Sequence, residues 1–293
     1  VIRLAVRVAA EQAELVLAEL LVLSPGGVEE AQPAPGVVEY AIYGSPGEVP
    51  SLPDVNAVVG NALVEVSSSE VPDDWSERWK QFHRPVLVDP PPGSGVPSVY
   101  VRPPWEPVLA RGGGAGTGET LDVAIDPAQA FGTGAHATTR LCLELLLELA
   151  AQRPARGPLI DVGTGSGVLA IAAALLGYEP VAALDNDPLS VAAAADNAAA
   201  NGVAIATARL DVRSDPLPGC ARAVMTANLL APLLRDLAGR LAAAEVPPAH
   251  VIASGLLVHE VDEVAGRLAA GTGLREQMRR TQGDWAAVLL SAA

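Results

Sequence analysis

The chain has 293 residues, 19 basic and 34 acidic, for a formal charge of -15, and half of its residues are apolar. That length suits two domains better than one, and the acidic balance argues against autonomous nucleic-acid binding, which needs basic charge to displace counterions. The longest apolar runs are broken by Glu or Arg within about a dozen residues, excluding a membrane span, and the only cysteines, Cys142 and Cys220, are too few for a disulfide framework or a cysteine zinc site.

In chain order, residues 1–8 alternate apolar with polar or small side chains and carry Arg3 and Arg7 where a secretion signal needs an unbroken apolar core. A strand and a cytoplasmic location are expected. Helical spacing follows over 11–23, alternation returns over 37–43, and a further apolar stretch runs over 55–66. These elements suggest a small α+β recognition domain over residues 1–66. The first 70 residues hold two Arg against ten Asp or Glu, so about half of the net charge sits in the first quarter and a basic partner is favoured. Residues 67–118 show little periodicity and contain Asp89-Pro-Pro-Pro-Gly93 and Gly112-Gly-Gly-Ala-Gly116, which predicts a linker. Trp75, Trp79 and Trp105 lie in it as anchors to a domain.

From residue 119 to 293, short apolar strands alternate with Ala- and Leu-rich helices, the pattern of a doubly wound parallel sheet. Strands are expected at 159–162, 181–184, 203–210, 223–227 and 251–254, and helices at 168–176, 188–201, 229–241 and 259–270. Asp187 and Pro188 read as a helix start and Gly202 as its stop. Residues 274–290 suit a strand pair.

Asp161-Val-Gly-Thr-Gly-Ser-Gly167 falls at a strand-to-helix turn, where glycine lets the backbone approach a ligand. Val168 stands where a nicotinamide fingerprint needs Gly or Ala, and no Lys-Ser/Thr follows for a P-loop, since Lys80 is the only lysine. An acidic strand end followed by Gly-x-Gly-x-Gly instead resembles the first motif of the class I S-adenosylmethionine-dependent methyltransferases. A carboxylate such as Asp161 suits that cofactor's positive charge. Asp185, 22 residues beyond Gly163, ends the next strand, where a carboxylate accepts from ribose hydroxyls, and Asp211 ends the third, placed for the adenine amino group.

Ahead of this loop, Ala130-Phe-Gly-Thr-Gly-Ala-His-Ala-Thr-Thr139 leads into an apolar helix, where Thr138 or Thr139 can cap amides or meet a ligand. With D-x-G-T-G-S-G, Asn228-Leu-Leu-Ala231, the Trp75/Trp79 pair, the Trp105 region and the Ser254-Gly-Leu256 turn, it resembles the PrmA family, methyltransferases of large-subunit ribosomal protein eleven. The resemblance covers most of residues 70–293; residues 1–66 agree in size and pattern only. It implies a Rossmann-like seven-stranded class I methyltransferase domain, its last strand inserted antiparallel, behind a small N-terminal α+β substrate-recognition domain. It further implies S-adenosyl-L-methionine contacts at Phe131, Thr138, Thr139, Gly163, Gly165, Asp185 and Asn228. The implied reaction is methylation of lysine ε-amines and the N-terminal α-amine of that ribosomal protein; a monomer acting without nucleic acid or membrane is expected alongside.

Asn228 is the candidate to orient the amine, and His136 to brace the loop or take the proton. His83, His250 and His259 have no metal-ligand spacing. The alternatives are a methyltransferase for another basic protein or a small amine, and a catalytically silent cofactor-binding scaffold. A base methyltransferase is disfavoured because Asn228-Leu-Leu-Ala lacks an aromatic clamp for a flipped base.

Overall fold

A computed structural model describes residues 2–13, 16, 17, 20, 28–44, 50, 55, 59, 63–70, 83–109, 119–127, 136–153 and 156–292. Residues 1–82 and 83–293 form two compact units.

The first unit is a four-stranded antiparallel sheet in the order β2-β3-β1-β4, built from β1 (Ile2–Ala9), β2 (Glu29–Ala34), β3 (Val37–Gly44) and β4 (Leu63–Glu70). Leu4, Val6 and Val8 of β1 and Val38, Tyr40 and Ile42 of β3 point to one face, as period-two alternation requires. Ala13, Val16, Leu20, Val55 and Val59 complete that core, and the buried Tyr40 hydroxyl donates to the Ala13 carbonyl at 2.9 Å. The opposite face carries an ion-pair ladder, in which Arg3 and Arg7 each donate to Glu39 at 2.6 Å. These guanidinium hydrogen bonds, Arg3 first, hold the Glu39 carboxyl below its usual range. Strand β2 has no counterpart in the sequence reading: it contains Glu29, Glu30 and Pro33, and shows no apolar alternation.

The boundary expected at residue 66 falls inside β4, whose Ser67, Ser68 and Ser69 pair with Ala5, Leu4 and Arg3. Backbone pairing holds this half of the strand, so it needs no apolar side chains. The linker expected over 67–118 also contains strands. Val86–Val88 (β5) and Ser98–Arg102 (β6) pair antiparallel, and β6 pairs parallel with Thr120–Ala124 (β7). The Pro-rich run at 89–93 is the loop of the β5–β6 hairpin, with positive φ at Gly93 and Gly95. Ser98 Oγ closes it onto Asp89 at 2.6 Å. Buried Arg102 grips Asp122 through two 2.7 Å hydrogen bonds and the Glu106 carbonyl at 2.9 Å. Trp75, Trp79 and the 112–116 glycine run lie outside the described residues.

The second unit also holds a seven-stranded sheet in the order β10-β9-β8-β11-β12-β14-β13. Its strands are β8 (Leu159–Val162), β9 (Val181–Asp185), β10 (Ala206–Arg209), β11 (Val224–Asn228), β12 (His250–Leu257), β13 (Arg275–Gln282) and β14 (Trp285–Ser291). The helices are α1 (Ala137–Gln152), α2 (Val168–Leu175), α3 (Pro188–Ala200), α4 (Ala231–Ala242) and α5 (Val261–Thr272). Strand β14 lies between β12 and β13, antiparallel to both. The remaining neighbours are parallel. Two apolar cores cover the faces: α1 and α2 with β5–β7 on one, α4 and α5 on the other. The expected Rossmann-like doubly wound sheet is therefore present. Its direction of winding reverses between β8 and β11, the crevice where ligands collect in such sheets.

Candidate functional site

The carboxyl ends of β8, β9 and β11 open into a cavity of about 300 Å³. It is lined by Thr139, Gly163, Gly165, Asp185, Asp211 and Asn228, all expected from sequence, with Val162, Leu210 and Val212 among its apolar walls.

Local backbone chemistry builds the loop. Gly163, Gly165 and Gly167 have φ of 74°, 53° and 85°, a region costly for residues with a Cβ. A Cβ at Gly163 would also overlap Leu229 Cδ2. The loop is tied to β9, since the Gly163 and Thr164 amides donate to the Leu184 carbonyl at 2.8 and 3.0 Å. The Gly165 amide donates to Asp185 Oδ2 at 2.9 Å and the Asp187 amide to Oδ1 at 3.0 Å. Asp187 in turn caps α3, accepting from the Leu189 amide at 2.9 Å ahead of Pro188.

Asp161 departs from expectation. Its carboxyl is fully buried and does not line the cavity; it accepts from the Thr226 and Thr164 hydroxyls at 2.6 and 2.7 Å. Burial, partly offset by those two hydroxyls, pushes its pKa up to about 6. It braces the loop from beneath instead of facing a ligand's cation. Thr226 shows no sequence signal, because a hydroxyl inside a strand reads as a tolerated β-branched residue.

Asp211 lies on the cavity wall two residues past β10, with its carboxylate accepting from the Arg213 amide at 2.9 Å and Arg213 Nε at 3.1 Å. The Arg213 side chain, first of these influences, holds it below the usual carboxylate range. Asn186, Ser190 and Arg213 also line the cavity and were not anticipated.

Asn228 ends β11 and donates from Nδ2 to Thr139 Oγ1 at 3.4 Å. Ser254-Gly-Leu256, expected as a turn, is a bulge within β12. Gly255 has φ of 84° and carries no Cβ because the Leu229 backbone occupies that space. The Leu229 amide donates to the Ser254 carbonyl at 3.0 Å, which fixes the turn that presents Asn228.

His136 and Thr138 do not line the cavity. His136 is the N-cap of α1, with Nδ1 accepting from the Thr138 amide at 3.3 Å and meeting the Thr138 hydroxyl at 2.8 Å. Its ring packs edge-on to Trp285 with centroids 5.2 Å apart, and burial lowers its pKa. Phe131 lies outside the described residues, as do its neighbours 128–135. Among the described residues, no group of three His, Cys, Asp or Glu side chains could hold a metal ion, and no helix is long and apolar enough to cross a membrane.

A family model described as ribosomal protein L11 methyltransferase (PrmA) matches residues 53–292. A relative of that name from Heliobacterium modesticaldum is 37% identical over 225 residues, 75% of this chain and 65% of its own length. One from Geobacter sp. is 40% identical over 191 residues, 64% of this chain and 58% of its own. Another, from Syntrophotalea carbinolica, is 36% identical over 270 residues, 91% of this chain and 79% of its own. The chain thus spans less than two thirds of the first two relatives. A crystal structure of ribosomal protein L11 methylase from Lactobacillus delbrueckii subsp. bulgaricus superposes with a TM-score of 0.55 at 30% identity, covering 66% of this chain and 94% of that one.

Proposed function

The chain belongs to the ribosomal protein L11 methyltransferase (PrmA) family, and from that premise we propose that it transfers methyl groups from S-adenosyl-L-methionine to amines of ribosomal protein L11. The carrying observation is the cavity that joins the glycine loop, Asp185, Asp211 and Asn228 at the carboxyl edge of the sheet.

These residues fit the cofactor chemically. Two backbone amides orient Asp185, and each carboxylate oxygen has a further lone pair for the vicinal hydroxyls of a ribose. Leu210 and Val212 offer apolar walls to an adenine ring, with Asp211 as acceptor for its amino group. Gly163 and Gly165 would run beside the amino-acid portion, with Thr139 and Asn228 closing the side toward the acceptor. The cofactor would supply an electrophilic methyl group on a sulfonium.

The chain's own work is then positioning and proton management. Donation from Asn228 Nδ2 to Thr139 turns the amide oxygen away from that contact, where it can accept from an incoming amine and aim its lone pair. A lysine amine, with an intrinsic pKa of about 10.4, must first lose its proton to solvent, and the positive charge of a bound sulfonium would favour its neutral form. His136 acts here as a brace, because its Nδ1 is engaged by Thr138 and caps α1.

We assign substrate recognition to the acidic N-terminal module, read from sequence as residues 1–66. The structure divides the chain after residue 82 instead, and the unit over residues 83–293 is the proposed transferase. Lysine ε-amines and the N-terminal α-amine are the proposed acceptors, in the cytoplasm, by a monomer acting without nucleic acid.

The test is to incubate the protein with S-adenosyl-L-methionine and free L11 and to read the intact mass of L11. Steps of one methyl each, lost with Asp185→Ala, are expected. An unchanged mass despite cofactor binding would reassign the substrate to another basic protein or a small amine, and absence of cofactor binding would overturn the reading.

A further inference from the structure

Helix α3 carries a buried asparagine, Asn197, in its last turn, where helix propensity disfavours it, and half-buried Asn201, one turn on, is its C-cap. Residues four apart share a face, and this face meets the chain leaving β7. Asn201 pairs with Ala124 in both directions, accepting from its amide at 2.8 Å and donating to its carbonyl at 2.7 Å. Asn197 accepts from the Asp126 amide at 3.0 Å through Oδ1. Between them, the Ile125 amide turns the other way, to the Arg102 carbonyl of β6, at 2.8 Å. Residues 124–126 are therefore held from both sides immediately before Pro127.

The other end of Asn197 reaches the glycine loop. Its Nδ2 donates to the Ser166 carbonyl at 2.9 Å, and the side chain is only 5% exposed. One carboxamide thus spans the loop that lines the cavity and the chain leaving β7 at Asp126. A buried amide satisfied at both ends is costly to break at either, because the orphaned group keeps its desolvation penalty.

We propose that Asn197 is a positioning residue that couples the glycine loop to the end of β7 at Ala124–Asp126, so that occupancy of the loop and the order of that strand end are linked. Asn197 does not line the cavity. It acts through Ser166 on one side and Asp126 on the other. Asn201 is the internal control: it anchors the same strand end and has no hydrogen bond to the glycine loop. This inference rests on the cofactor assignment of the cavity.

Amide hydrogen exchange, with and without S-adenosyl-L-methionine, tests it in the unaltered protein and two variants. In the unaltered protein, the Gly165 and Asp126 amides should both slow on cofactor addition, although Asp126 is not a cavity residue. In Asn197→Ala the response of Asp126 should vanish while that of Gly165 persists, and the Kd for the cofactor should rise about tenfold, the effect of one buried hydrogen bond. Asn201→Ala should keep both responses and a Kd within about threefold of the original, since its lost bonds fall outside the loop. If Gly165 slows and Asp126 does not in the unaltered protein, the coupling is refuted while the cofactor assignment stands. If neither amide responds and no cofactor binds, the cofactor assignment itself fails. Equal effects of the two substitutions would reduce Asn197 to a structural clamp.

Discussion

The Gly165 amide donates to Asp185 Oδ2 at 2.9 Å, so the glycine loop and the carboxylate at the end of β9 are tied together. That bond holds the carboxylate at the loop's edge, its second oxygen steadied by the Asp187 amide. Asp185→Ala removes both bonds together with the proposed ribose acceptor. Charge-assisted hydrogen bonds contribute about 1.5–3 kcal/mol each, so cofactor affinity should fall at least about a hundredfold. Calorimetric titration checks this, and a Kd changed less than about fivefold would remove Asp185 from the binding role.

Gly163 and Gly255 both approach Leu229, one at its side chain and the other at its backbone, and should fail differently. A Cβ at Gly163 meets the mobile end of the Leu229 side chain, which can yield only by shifting within the cavity it lines. Gly163→Ala should therefore leave a folded protein, destabilised by about 1–2 kcal/mol through its positive φ, with cofactor binding severely impaired. A Cβ at Gly255 meets the Leu229 carbonyl and backbone, which cannot swing aside. Gly255→Ala should cost roughly 3 kcal/mol or more of stability. Denaturant melts of the two variants beside cofactor titrations separate these outcomes.

Much of this site is legible in sequence because its parts are local. Asp161 to Gly167, Asp185 and the Asp187-Pro188 helix start are each set by a few neighbouring residues, and the alternation of strand and helix periods marks the sheet around them. Features that depend on distant partners are not legible. Whether Asp161 faces ligand or core depends on Thr226, 65 residues away, which supplies a buried hydroxyl. Gly255 reads as a turn until the Leu229 backbone is seen against it. The β5–β6 hairpin hides behind Pro and Gly because a three-residue strand has no room to display alternation. Strand β2 is held by its pairing with β3 despite a polar sequence.

Asp161 imposes a pH dependence on stability whose sign follows from its raised pKa. Its folded pKa of about 6 lies above the unfolded value near 3.8, so its contribution is fully present below about pH 4 and is lost as pH rises through 6. Asp161→Asn keeps the size and removes the titration. Relative to that variant, the original protein should lose on the order of 3 kcal/mol between pH 4 and pH 7. Urea melts of both proteins across that range provide the measurement; parallel stability curves would contradict the burial-driven shift.

His136 separates bracing from proton transfer. As N-cap of α1 it satisfies the Thr138 amide, so His136→Ala should cost about 1 kcal/mol of stability. As a brace it should leave kcat at saturating substrates within about threefold, whereas loss of a general base typically costs about a hundredfold or more. Its burial-lowered pKa keeps the ring neutral into mildly acid pH. Because that pKa is depressed, the stability it contributes is present above the unfolded pKa and is lost as pH falls through the folded one. An acid-limb shift in stability without one in kcat is the expected signature.

The charge asymmetry predicts how substrate capture responds to salt. Residues 1–70 hold ten acidic and two basic side chains, and both of the latter, Arg3 and Arg7, pair with buried Glu39. A basic substrate would be drawn to this module over a range set by the Debye length, about 10 Å at 0.1 M salt and 3 Å at 1 M. Raising salt should therefore increase KM for the proposed substrate, L11, several-fold and slow association. It should leave kcat and cofactor affinity nearly unchanged, since the hydrogen bonds to Asp185 act at contact distance. A KM for L11 indifferent to salt would mean that shape and apolar contact, not the acidic module's field, select the substrate.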